Sequence, residues 1–531
     1  MTSLHWEPRE EPTKQELMLL KTVRRTKKLF GFLRMHRRAL FDDAFQEELA
    51  SVYRQSGAGR AAHPPAFMAM VVLLQAYTKM SDAEAVQQCV VDLRWQMVLD
   101  CLGATEPVFS QGALHNFRHR LIEHDLDRRL LERTAALAKE TRAFDAKKLP
   151  TTIRIAADSK PLQGAGRVED TLNLLGHAAR DVVRCIAALT GEDADTVATE
   201  AGIPLLLESS TKVALDTDWT DPKRKVQALD KLMKQLGSLF CYIQSQLPEE
   251  ATQPPLRDPL EVLHQIIEQD LEPDPDDSKG KRVRVRRGVA KDRRVSVTDP
   301  DMRHGRKSRS KAFNGFKQHI LVDVDRTLVL ACAVVGANRR EHEAMPALRQ
   351  DLGRFEETVG EVLVDRGYTT SEFAEVASRN GWTVLSKPRQ MPPNGGRFTK
   401  RDFVFNLRER TVTCPAGQTQ GFSLGQQTRF DAEECQACAL SERCTRSPRG
   451  RGLNISDDEL EQQRYLRLSK SRAGRRKLRG RIPVEHRFAH LKQKQGDTAR
   501  YLGERANLFD LRRTAAVLNL EVIQRQLAQA A

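Results

Sequence analysis

The chain has 531 residues, too many for one hydrophobic core of ordinary size, and its 86 Lys and Arg against 71 Asp and Glu give a net charge of +15. The bases come in runs, which favours a nucleic-acid partner over a merely solvated surface. No apolar run reaches membrane-spanning length, the first residues lack the layout of a signal peptide, and nine cysteines in such a length are no disulfide framework, so a soluble cytoplasmic protein is expected.

Residues 1–145 read as an all-helical domain, with apolar spacing that predicts helices over 17–33, 45–53, 65–77, 83–99 and 112–137. Ser110 is placed to cap the last of these. Leu114, Phe117 and Leu121 share its apolar face, so Arg118, His119 and Arg120 are expected to project. That suits either a DNA-reading helix in a helix-turn-helix or a packing helix with a basic outer surface. At Thr151-Thr-Ile-Arg-Ile-Ala-Ala-Asp158 the period changes to that of a strand, expected to end at Asp158 before the turn residues Pro161, Gly164 and Gly166. Residues 150–170 are thus the first piece of an α/β core.

Residues 171–298 read as a helical insertion, closed by the acidic, Pro-containing linker 272–277 and by the basic stretch 279–287, a mobile arm suited to phosphates. The core resumes over 299–390. Strands at 316–323 and 328–335 flank a turn at Asp325-Arg326 to make a hairpin. A helix runs to residue 355, a short buried strand 361–365 ends in Asp365, and a helix over 371–380, closed by Gly381, leads to a strand at 382–385. Residues 391–460 form a small cysteine-bearing insertion, and 461–531 return to the core. Between residues 464 and 481 stand nine Lys or Arg and no acid. Pro483 then opens a helix whose buried face is Val484, Phe488 and Leu491; Glu485 lies beside that face and Lys492 lies in the same sector two turns on. The whole is a mixed α/β layer architecture.

Three carboxylates, two at strand ends and one on a helix, suit a pair of Mg²⁺ ions, which take hard oxygen ligands and can promote in-line displacement at phosphorus. Cys414, Cys435, Cys438 and Cys444 form C-x20-C-x2-C-x5-C, a thiolate set for tetrahedral Zn²⁺, with Cys435-Gln-Ala-Cys438 as its tight knuckle. An iron–sulfur cluster is the second reading of these cysteines, and unligated thiols the third. Cys89, Cys101, Cys185, Cys241 and Cys332 read as packing residues.

In these residues the sequence resembles the DDE transposases of bacterial insertion sequences. The family's three acids fall on Asp158 in Ile155-Ala-Ala-Asp-Ser, Asp365 in Val364-Asp-Arg-Gly-Tyr, and Glu485; its Tyr-x2-Arg-x3-Glu-x6-Lys signature is matched by Arg481, Glu485 and Lys492, with Leu478 at the tyrosine position. The resemblance implies an RNase H-like mixed-sheet core with two Mg²⁺ (or Mn²⁺) ions at Asp158, Asp365 and Glu485. It also implies an N-terminal helical domain that binds transposon ends. His304-Gly-Arg-Lys307 and Phe313-Asn-Gly-Phe-Lys-Gln-His319 resemble family positions too, making Arg306, Lys307 and Lys317 candidate DNA contacts beside Arg118, Arg120, Arg481 and Lys492. The implied reaction is cleavage of double-stranded DNA at terminal inverted repeats, then transfer of the 3′-hydroxyl to target DNA by a nucleoid-associated homodimer or larger assembly. A nuclease that cuts without joining, and a domesticated DNA-binding protein without catalysis, are the alternatives.

Overall fold

The nearly continuous apolar run from Ile153 to Ala157 lacks the alternation of a half-exposed strand, and it lies buried inside a sheet, as such a run requires. The computed structural model describes residues 4–53, 62–277, 282–308, 310–355, 357–391 and 394–530. In chain order the strands are β1 (Ile153–Gln163), β2 (Leu271–Pro273), β3 (Val283–Val285), β4 (Arg303–Arg306), β5 (Ala312–Asp323), β6 (Val329–Gly336), β7 (Val359–Leu363) and β8 (Thr383–Leu385). A small module adds β9 (Val404–Asn406), β10 (Thr411–Thr413), β11 (Thr419–Gly421), β12 (Gln427–Arg429) and β13 (Gly452–Asn454).

β1, β4, β5, β6, β7 and β8 make one mixed sheet. β5 pairs antiparallel with β1 on one side and with β6 and β4 on the other, while β1, β7 and β8 pair parallel. The expected hairpin is present as β5 and β6. β1 does not stop at Asp158 but continues to Gln163, because β5 goes on pairing with it as far as Gly315. β7 accompanies β1 only to Ala156, so the outer edge is open at Pro161, which has no N–H to donate.

The regular structure of the N-terminal region is all helical among its described residues, but three of the expected long helices are each divided in two. One becomes Lys14–Val23 and Lys28–Leu40. Another breaks at Asp92, whose carboxylate caps the following turn, and the third at Asp125, whose positive φ of 55° interrupts the helical path. A capping carboxylate at Asp92 and a left-handed backbone at Asp125 thus outweighed the apolar period. Ser110 caps the helix Gln111–Glu123 as expected, its hydroxyl accepting from Ala113 N at 3.1 Å. Arg118 does not project: it is buried, with both terminal nitrogens on Asp82 at 2.9 and 2.7 Å and its guanidinium over the Tyr501 ring.

The insertion has its own apolar core, built mainly from helices Thr171–Thr190, Pro222–Gln246 and Arg257–Asp270. The basic stretch after it is not a free arm over its described part. β3 pairs with β2, and Arg284 meets Glu272 at 2.8 Å, so the reversal of charge zips two short strands together. Lys279 and Lys281, at the head of that stretch, lie outside the described residues. Elsewhere one continuous core joins the N-terminal helices, the main sheet and the C-terminal helix Glu504–Ala530, which packs on β6 and on helices Pro65–Thr78 and Leu126–Glu140. Among the described residues, no helix is long and apolar enough to cross a membrane.

Candidate active site

The register of the parallel pair β1 and β7 fixes the site. Ala156 stands opposite Leu363, and each strand carries an aspartate two residues further on, so Asp158 and Asp365 emerge side by side. Asp365 also caps the 3-10 turn Arg366–Tyr368, its carboxylate accepting from Arg366 N at 2.8 Å. Arg481 bridges the two acids, Nη2 lying 3.2 Å from Asp158 Oδ1 and Nη1 3.5 Å from Asp365 Oδ1. Burial raises the pKa of Asp158; the Arg481 guanidinium opposes that shift, whereas Asp365 and Glu341 add to it.

Around this pair lie Ser159, Glu341, His319, Tyr368, Lys160 and Asp497, none of them a candidate from the sequence, together with the expected Lys492. Ser159 Oγ donates to Glu341 Oε1 at 2.8 Å. Tyr368 Oη is 2.7 Å from Nδ1 of the buried His319, whose pKa burial lowers to about 3, so that imidazole is neutral at any working pH. Lys160, two residues past Asp158 on the same strand face, meets Asp497 at 2.8 Å, and Lys492 pairs with the same carboxylate. The Lys160 and Lys492 hydrogen bonds lower the pKa of Asp497 to about 2. The period of two would have pointed to Lys160. Glu341 carries no such signal, because it reaches the site from a turn far along the chain.

The helix Ile482–Gln495 forms as expected, with Pro483 in its first turn and Val484, Phe488 and Leu491 buried. Glu485 is exposed on the first turn, four residues and so about one helical turn from Arg481, and makes no ion pair among the described residues. The structure therefore brings Asp158 and Asp365 together, and sets Glu485 one turn along from the arginine that joins them. Of the other candidates, Lys307 and Arg306 are exposed at the end of β4. Lys317 is partly buried with its ammonium on Arg339 O, and Arg120 lies over the Tyr53 ring. A cavity of about 990 Å³ lies away from these acids, in a seam lined by residues from 129–153 and 323–357.

In the small module, β9–β11 and the antiparallel pair β12 and β13 enclose a core of Phe403, Phe405, Val412, Phe422, Phe430, Leu453 and Ile455. Cys414, Cys435, Cys438 and Cys444 all line one cavity of about 30 Å³ beside it. Gln418 N donates to Cys414 Sγ and Leu440 N to Cys438 Sγ, both at 3.3 Å, and none of the four is in a disulfide. Among the described residues, no three His, Cys, Asp or Glu side chains are already close enough together to hold a metal ion, here or at the acidic pair.

Two family models match the chain: one described as Transposase DDE domain over residues 286–520, the other as Transposase domain (DUF772) over residues 25–120. The first spans Asp365, Arg481 and Glu485, and the second covers most of the N-terminal helices. No curated protein and no solved structure matches.

Proposed function

Because the chain belongs to the DDE-type transposases of insertion sequences and is a DNA transposase, we propose that Asp158, Asp365 and Glu485 are its catalytic acids. The observation that carries this reading is the β1–β7 register, which sets two acids from distant parts of the chain side by side at matching strand positions. The strand order β6-β5-β1-β7-β8, antiparallel on one side of β1 and parallel on the other, supports an RNase H-like core. Residues 150–170, 299–390 and 461–531 would form that core, with 171–298 and 391–460 inserted and 1–145 binding transposon ends.

The residues fit the divalent metal that the family implies. Two carboxylates converge on a point already balanced by one guanidinium, and their oxygens are the hard donors that Mg²⁺ or Mn²⁺ prefers. When bound by Asp158, Asp365 and Glu485, two such ions would supply an activated water or 3′-hydroxyl and stabilise the leaving oxygen. Arg481 then exchanges carboxylate partners for a phosphate, which suits its planar fork. Lys160 and Lys492, gathered by Asp497, hold the backbone beyond the cleavage point, and Arg306, Lys307, Lys317 and Arg120 contact further phosphates as positioning groups. Arg118 keeps a packing role. Two protomers act together on the paired ends of nucleoid DNA.

Protein mixed with Mg²⁺ and DNA bearing the element's own inverted repeat should yield both nicked ends and joined products on a gel. Nicks without joined products would restrict the activity to hydrolysis and overturn the strand-transfer reading.

We also propose a structural Zn²⁺ for Cys414, Cys435, Cys438 and Cys444: all four line one small cavity and two of their sulfurs accept backbone N–H groups, and binding would draw the thiolates together from the spacing they have here. Cys435→Ser should lower zinc from about one per chain and destabilise the module, because metal binding to so small a unit is coupled to its folding. Elemental analysis checks this, and iron with sulfide in the parent would replace zinc by a cluster.

A further inference from the structure

Glu341 opens the 3-10 turn Glu341–Ala344, which packs against the turn Arg366–Tyr368 that follows Asp365. Its carboxylate has one contact on each side of the acidic pair. Oε1 accepts from Ser159 Oγ at 2.8 Å, and Ser159 in turn gives its N–H to Asp158 Oδ1 at 2.9 Å. Oε2 lies directly over Gly367, where an added Cβ would stand 1.9 Å from it. A glycine two residues after Asp365 is therefore what admits the carboxylate.

The ordinary job for an acid at this position is capping its own turn, but Glu343 does that, accepting from Arg340 N at 2.8 Å. Glu341 is left to span the two acid-bearing segments.

We infer that Glu341 is a positioning residue of the active site, bridging Ser159 and Gly367 so that Asp158 and Asp365 keep the separation one divalent cation needs. The inference rests on the three-acid reading above. Side chains that orient metal ligands without touching the metal usually contribute 10–100-fold to metal affinity, and a contact made through a hydroxyl and a glycine belongs to that class.

The test is Mn²⁺ titration of the full chain by calorimetry, with Mn²⁺-dependence of cleavage measured alongside. Glu341→Ala should weaken Mn²⁺ binding by about tenfold or more. Ser159→Ala should do the same, and the double variant should lose little more, since both remove one bridge. Glu341→Gln, which keeps an oxygen to accept from Ser159, should stay close to the parent. Gly367→Ala keeps Glu341 but displaces it, and should match Glu341→Ala; thermal unfolding and end-DNA binding establish that each variant folds. Parental affinity in Glu341→Ala, or a loss in Glu341→Gln as large as in Glu341→Ala, overturns the positioning role. Asp158→Asn separates the two levels: if it too binds Mn²⁺ like the parent, the three-acid site fails together with the inference built on it.

Discussion

Glu485→Gln should fold, bind end-containing DNA and lose strand cleavage by roughly 10³-fold, the factor corresponding to several kcal/mol of transition-state charge stabilisation. The substitution keeps the shape of the side chain and removes one ligand charge. Because Glu485 is solvent-exposed and touches no ionic partner among the described residues, its loss leaves no buried group stranded, so stability should barely change. Asp158→Asn should be equally damaging to cleavage. Its stability effect is less simple, since the neutral side chain is easier to bury while Arg481 loses one of its two anions. A bland alternative makes Glu485 a surface acid that offsets the nine bases before it. Glu485→Gln would then leave Mg²⁺-dependent cleavage nearly intact and tighten DNA binding slightly, as expected for one repulsive charge fewer near phosphates. Cleavage and binding measured on the same variant decide between the two, and near-parental cleavage would remove Glu485 from the site.

The pairing of Asp158 with Asp365 was legible because each acid follows an apolar strand run, although β1 runs on past Asp158 instead of ending there. Ile155-Ala-Ala-Asp158 and Val362-Leu-Val-Asp365 are apolar runs each followed by an acid, and parallel pairing in register converts that shared pattern into proximity. The helix after Pro483 and the β5–β6 hairpin were likewise carried by periodicity and turn chemistry. What periodicity misses is whatever depends on a partner distant in sequence. Arg118 sits on the polar side of its helix by spacing, and only the approach of Asp82 and Tyr501 makes that side an interior. The basic stretch after residue 281 reads as a solvated arm until β2 supplies Glu272 across from Arg284. Glu341 stands 182 residues from Ser159, and the only local trace of their contact is a glycine at 367, a residue that any turn explains equally well.

Arg512→Ala should be the most destabilising single change in the core, by about 3–5 kcal/mol, because it breaks a buried charge cluster by removing its centre. Arg512 Nη1 meets Asp125 at 2.6 Å and Asp127 at 3.3 Å, while Nη2 meets Asp351 at 3.2 Å. Those acids belong to the start of the Leu126–Glu140 helix and to the helix Met345–Leu352 packed on β6, so a single guanidinium ties the N-terminal helices to the main sheet. Asp127 is fully buried but keeps Arg505. Asp351 is 4 % exposed, burial already raises its pKa, and Arg512 is its only ion-pair partner among the described residues, so its charge would be left without a counterion. The cost therefore lies in the stranded acid rather than in the lost attraction. Arg512→Met combined with Asp351→Leu should recover most of the stability, since a buried ion pair replaced by apolar side chains of similar volume is often neutral. Urea midpoints at constant slope measure both variants. Equal destabilisation in the single and the double variant would move the origin of the effect from uncompensated charge to lost packing. If the N-terminal helices bind transposon ends, as proposed, loosening this cluster at Asp125 and Asp127 should also weaken the coupling between end binding and cleavage, visible as cleavage that falls more steeply with temperature than DNA binding does.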